Sequence, residues 1–201
     1  MKKSTILWLV FAVVVIILLS WNHIFPHPAP VVDSATLPGM QTGEAPWNAE
    51  IPNLLARLRA LELPALAQEG NVLHIHQHLD LSINGAPVAV PAGIGINEAA
   101  GFISPIHVHD TTGIIHVESN VVRDFTLGQF FDIWGVRFSD TCIGGYCADA
   151  THTLKVYSNG APVSGDPRAL ILAPHQEIMI VYGGASSTLP ILSSFTFPPT
   201  Y

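Results

Sequence analysis

The alternation of polar and apolar side chains over Leu73–Ile83 constrains the fold more than any other feature of the chain. Its even-numbered positions are polar, and its odd-numbered positions are apolar apart from Gln77. Successive side chains of a β-strand point to opposite faces of the sheet, so this period of two predicts a strand with one buried face. The other face would carry three histidines and a carboxylate: His74, His76, His78 and Asp80.

A second histidine-bearing stretch, residues 106–119, predicts a β-hairpin. Asp110–Gly113 has the composition of a turn, because aspartate bonds to nearby backbone and glycine tolerates a positive φ. Folding about this turn places His107 opposite His116 and gathers the apolar side chains on the other face. A slip of one residue would mix the two faces, so the pattern supports this register. The polar face would present His107, His109, His116 and Glu118.

Together these patterns predict a metal site. Two histidines at i and i+2 share one face of a strand, and a third across the ladder lies about 4.5–5.5 Å away at Cβ, so all three can reach one ion. Imidazole ligands favour a transition metal ion, with Zn²⁺ or Cu²⁺ expected. One site or two remains open, and the alternative is that exposed strands carry solvated histidines. The predicted ligands are His74, His76, His78, His107, His109 and His116, with Asp80 and Glu118 as additional ligands or as groups that orient a ligand imidazole.

Composition favours a β-rich protein and argues against nucleic acid as a partner. Only 11% of the 201 residues are charged, whereas about 25% is usual. The formal net charge is −7, so the chain as a whole would repel the negative phosphates of a nucleic acid. The many β-branched residues, glycines and prolines favour strands and turns.

The N-terminal residues predict a membrane anchor. Lys2 and Lys3 precede the uncharged stretch Ser4–Trp21, and about 18 such residues are near the lower limit for a membrane span. An uncleaved signal anchor over residues 1–21 is favoured over a removed signal peptide, because no small-residue cleavage site follows. The positive-inside rule then leaves the lysines in the cytoplasm and the domain outside it, in the periplasm or the extracellular space.

The remaining chain divides into a proline-rich linker, residues 22–50, and an extracytoplasmic β-rich domain, residues 51–201. Leucines at helical spacing predict a helix over Ile51–Leu63. A capping box that begins at Thr126 predicts a second helix, which ends at Trp134. The expected fold is mainly β: a compact antiparallel β domain with one or two short helices, preceded by an N-terminal transmembrane helix.

Three shorter patterns complete the predicted β domain. Asn84-Gly85 predicts a tight hairpin turn, and Ile178–Gly183 predicts a buried closing strand. Cys142 and Cys147 would face each other across another hairpin, which outside the cytoplasm favours a disulfide over metal thiolates or a redox pair. The sequence assigns no ligand role to His152 or His175 and no chemistry to residues 186–201.

Several motifs occur in a characteristic order between residues 72 and 183. They are His-x-His-x-His, Asn-Gly, Pro-Ala-Gly-Ile-Gly-Ile, His-x-His-Asp, Gly-Ile-Ile-His-Val-Glu-Ser and Phe-Thr-Leu-Gly-Gln-Phe-Phe-Asp-x-Trp-Gly. In this combination the chain resembles a family of uncharacterised bacterial exported, membrane-anchored, histidine-rich proteins. The resemblance implies a single domain over that span and no particular activity.

Three functions remain as hypotheses. The first is a membrane-anchored extracytoplasmic metal-binding protein whose affinity falls steeply below about pH 6, as imidazoles protonate. The second is a zinc- or copper-dependent enzyme, in which three histidines leave a coordination position for water. The third is a β-rich adhesion or assembly module that binds no metal.

Overall fold

The computed structural model describes residues 33–184, 189–199 and 201. The predicted membrane helix over residues 1–21 lies outside these residues, as does the first part of the predicted linker. Among the described residues, no helix is long and apolar enough to cross a membrane. The described part of the linker packs on the domain, where Leu37 and Trp47 are buried in the hydrophobic core.

The described residues form mainly β structure with two short α-helices, as the composition and patterns predict. The helices are α1 (Leu54–Ala60) and α2 (Leu127–Trp134), with single 3-10 turns at Ser34–Thr36 and Pro167–Ala169. The strands are β1 (Leu73–Ile83), β2 (Ala86–Val88), β3 (Ile96–Asn97), β4 (Phe102–Ile103), β5 (Ile106–His107), β6 (Ile114–Ser119), β7 (Cys142–Ile143), β8 (Tyr146–Cys147), β9 (His152–Ser158), β10 (Ala161–Pro162) and β11 (Gln176–Gly184).

Seven strands form one mixed sheet in the order β10-β9-β11-β1-β6-β5, with β2 paired to the end of β1. Strand β1 runs antiparallel to β6 but parallel to β11. The prediction of an antiparallel domain is therefore wrong for the β1–β11 pair. Strand β11 is buried from Gln176 to Gly183, as is usual for a parallel strand covered on both faces. An apolar run of this kind does not indicate which strand it pairs with or whether the pairing is parallel or antiparallel.

The alternation in β1 gives the sheet its two faces. Leu79, Leu81 and Ile83 enter the hydrophobic core, and the intervening polar side chains occupy the opposite face. The chain then turns at Asn84-Gly85, where both residues have positive φ values of 51° and 84°. This confirms the predicted hairpin, which joins β1 to β2.

Local signals for the second helix and for the cysteines are also confirmed. Helix α2 begins with a capping box, in which the Thr126 hydroxyl and the Gln129 side chain each accept a hydrogen bond from the other residue's backbone N–H. It ends at Gly135, whose φ of 79° is left-handed. Cys142 and Cys147 are opposite each other in the β7–β8 hairpin and form a disulfide. Helix α1 is shorter than the predicted Ile51–Leu63.

Candidate metal centre

Three adjacent strands bring the two histidine patterns onto one face of the sheet. Strand β6 lies between β1 and β5, so His116 is opposite both His76 and His107. Two residues further along the ladder, His74 is opposite Glu118. The predicted pairing of His107 with His116 is confirmed. The pairing of β1 with β6, which the sequence left open, joins both patterns into one cluster.

The histidines on β1 form the first pair. The Nε2 atoms of His74 and His76 are 3.1 Å apart, and the His74 Nε2 is 3.3 Å from Oε1 of Glu118. His76 is buried, whereas the His74 side chain is 54% exposed. Ligands of a tetrahedral ion with bonds of 2.0–2.1 Å are roughly 3.3 Å apart. The spacing of this pair is therefore close to that of two ligands on one ion.

The second pair, His107 and His109, repeats this arrangement at the end of β5. Their Nε2 atoms are also 3.1 Å apart, with His107 fully buried and the His109 side chain 40% exposed. The His107 Nδ1–H donates to the carbonyl oxygen of Ser104 at 3.0 Å. This hydrogen bond leaves the lone pair on Nε2, the nitrogen that faces His109. Metal-binding histidines commonly have their second nitrogen held in this way.

Glu118 lies between the two pairs. Its Oε1 is 3.0 Å from Nδ1 of His116 and 3.9 Å from Nε2 of His107. Its other oxygen, Oε2, is buried and has no hydrogen-bond partner among the described residues. A buried carboxylate oxygen without a partner costs free energy. Cation coordination at this position would remove that cost.

Burial and mutual proximity change the proton affinity of the cluster. Burial, reinforced by His116 and His74, lowers the pKa of His76 to about 4. Burial likewise lowers the pKa of His107 to about 3, with His109 and His116 adding to the effect. Both imidazoles are therefore neutral at pH 7, as metal binding requires. Burial opposes ionisation of Glu118, but the His116 hydrogen bond and the neighbouring histidines keep its pKa below the usual value.

The structure places His78 and Asp80 in a separate group. Nδ1 of His78 is 2.8 Å from Oε2 of Glu177 and 3.5 Å from Oδ2 of Asp80, and Nε2 donates to the carbonyl oxygen of Thr112 at 2.9 Å. Burial favours the neutral imidazole, but the hydrogen bond and charge of Glu177 outweigh it and raise the pKa of His78. The ion pair with Glu177 at Nδ1 and the hydrogen bond to Thr112 at Nε2 thus satisfy both ring nitrogens of His78.

The C-terminal segment covers part of the histidine face. The ring of Tyr201 contacts His76 and His116, with centroid distances of 4.4 and 5.3 Å. Phe195 stacks on His78 at 3.7 Å, with the two rings only 6° from parallel. The sequence assigned this segment no role. The sequence patterns therefore gave no indication of Phe195 and Tyr201, which shield the buried histidines.

Two carboxylates beside the histidines were also missed. Glu69, before β1, has Oε1 at 3.3 Å from Nε2 of His109. Glu177 follows Gln176 at the start of a long apolar run. A single acidic residue at the start of a buried strand is the one sequence feature that could have indicated its role. Neither position follows the alternation that identifies the histidines, because each reaches the site through the pairing of distant segments.

The two isolated histidines, His152 and His175, do not join the cluster as potential ligands, although the His175 backbone N–H donates to the carbonyl oxygen of His76. Nδ1 of His152 is 3.2 Å from a carboxylate oxygen of Asp149 near the protein surface. Nε2 of His175 is 3.2 Å from a main-chain oxygen of Tyr201. Neither belongs to a group of three or more potential ligands among the described residues.

Comparison with protein-family models, curated proteins and solved structures gave no match. The resemblance to exported histidine-rich proteins stays a prediction.

Proposed function

We propose that this protein is a membrane-anchored extracytoplasmic metal-binding protein, with Zn²⁺ or Cu²⁺ as its ion. The observation that carries the proposal is the convergence of five imidazoles on one buried carboxylate. The ligand atoms fall into two sets, and within each set all atoms lie within 4.8 Å of one another. The sets are His74, His76, His116 and Glu118, and His107, His109, His116 and Glu118.

The donor atoms fit a borderline transition metal ion. Neutral imidazole nitrogens suit zinc and copper, whereas calcium and magnesium prefer shells made of oxygen. The unpartnered oxygen of Glu118 gives a cation one anionic ligand in a buried position. A solvated polar face would not require the burial of His76, His107 and Glu118. These features favour metal binding over the assembly-module hypothesis.

The first test is the metal content of the full chain, purified in detergent through an affinity tag that contains no histidine. We expect zinc or copper to copurify, or to bind tightly after the protein is stripped with a chelator. Replacing His107 and His109 together by alanine removes one ligand pair, so the metal content should fall by at least one ion per chain. Inductively coupled plasma mass spectrometry measures this directly.

His152→Ala is the matched control, because it removes a half-exposed histidine that lies outside the cluster. This variant should keep the metal content of the unmodified protein. Circular dichroism of each variant checks that the fold is retained. A folded protein that contains no metal and takes up neither Zn²⁺ nor Cu²⁺ would rule out the proposed function.

The cellular location is proposed on two features. The sequence before the domain has the pattern of a signal anchor, and the Cys142–Cys147 disulfide fits an oxidising compartment. Lys155 is exposed and is the single lysine after Lys2 and Lys3.

A membrane-impermeant amine reagent should therefore label Lys155 in intact spheroplasts and leave Lys2 and Lys3 unmodified. Labelling of Lys155 only after lysis would contradict the location, and Lys155→Arg controls for the labelled peptide.

A further inference from the structure

We infer that the cluster holds two metal ions that share Glu118, rather than one. This inference depends on the proposed metal binding and adds its stoichiometry and architecture. It starts from the number of donor groups, since five imidazoles and one carboxylate exceed the four ligands of a tetrahedral zinc ion. The two ligand sets divide these groups into halves that overlap at His116 and Glu118.

The two halves have matching geometry. Each contains an i, i+2 histidine pair whose Nε2 atoms are 3.1 Å apart. Each pair has one buried and one half-exposed member; the first pair lies on β1, and the second begins on β5 and ends two residues later, so the pairs are on either side of β6. An N–H···N hydrogen bond accounts for either spacing alone. It does not account for the shared carboxylate between the pairs, which keeps one buried oxygen without a partner.

Glu118 is within ligand-to-ligand distance of both pairs. Its Oε1 lies 3.3 Å from Nε2 of His74 and 3.9 Å from Nε2 of His107, so one carboxylate reaches a nitrogen on each side. Glu69 lies on the β5 side, with Oε1 3.3 Å from Nε2 of His109. This second carboxylate adds negative charge beside the second ion. A carboxylate shared by two ions holds them about 3.5–4 Å apart in known two-metal sites.

The test uses Cu²⁺ as a probe of both number and distance. The full chain, freed of metal, is titrated with up to three equivalents of Cu²⁺ and followed by equilibrium dialysis and electron paramagnetic resonance. We expect two ions per chain. Because two Cu²⁺ ions at about 4 Å couple magnetically, the signal per bound copper at saturation should fall to less than half that of an isolated ion.

Removing either pair should leave one ion and restore the isolated signal. The variants are His74→Ala with His76→Ala, and His107→Ala with His109→Ala, while His152→Ala should keep two coupled ions.

Two ions with full, additive signals would overturn the shared site, as expected if the second ion sat at His78 and Glu177. One ion per chain would overturn the inference and leave the proposed function standing, whereas no bound ion would end both. The titration of the unmodified chain decides the matter even if a variant fails to fold.

Discussion

Zinc should stay bound at pH 5.5, where a site made of ordinary imidazoles would already have released most of its metal. Protons compete with the metal for each ring nitrogen, but only below the pKa of that ring. The pKa of His76 is about 4 and that of His107 about 3, so both remain neutral at pH 5.5. An imidazole of pKa about 6.5 would lose roughly tenfold in binding at this pH. Each ligand set contains one of these two imidazoles, so the loss for each ion should be about tenfold smaller than for a site made only of ordinary imidazoles.

The measurement is zinc affinity from competition with a chelating dye at pH 7.5, 6.5 and 5.5. A synthetic peptide of residues 73–80 is the matched control, because it carries His74, His76 and His78 without the burial that lowers the pKa of His76 in the folded chain. The peptide should lose zinc as ordinary imidazoles do. If the folded protein loses zinc in parallel with the peptide, the buried imidazoles are not its ligands.

The sequence predicts that metal affinity falls steeply below pH 6, whereas the structure indicates a smaller loss of affinity. The alternation over Leu73–Ile83 and the turn at Asp110–Gly113 are local signals, and they correctly predict two strands and the register of the second hairpin. Burial of a particular imidazole is not a local property. His107 is fully buried, and part of what packs on it is backbone from the preceding loop: Gly95 lies so close to Cα and Cβ of His107 that a side chain at the glycine position would have no room.

The same division explains which parts of the site the sequence could reveal. Residues that follow a period of two, such as His74 and His116, can be predicted from the sequence because alternation identifies the face of the strand that they occupy. Glu177 reaches His78 through the parallel pairing of β1 with β11, and the two residues are 99 positions apart in the sequence. Capping boxes, Asn-Gly turns and a close cysteine pair need no such information, and all three predictions are confirmed.

Truncating the contact made by Tyr201 should accelerate metal release from the cluster. Its ring packs edge-on against His76 and His116 and shields them from water. Aromatic contacts of this kind contribute about 0.5–1.5 kcal/mol, so Tyr201→Ala should raise the rate of zinc transfer to excess chelator up to about tenfold. Leu192→Ala is the matched control, because Leu192 belongs to the same segment but is exposed and makes no contact with the cluster's histidines among the described residues. Stopped-flow transfer measures both rates. Equal rates for the Tyr201→Ala variant and the unmodified chain would mean that this segment does not control access to the ion.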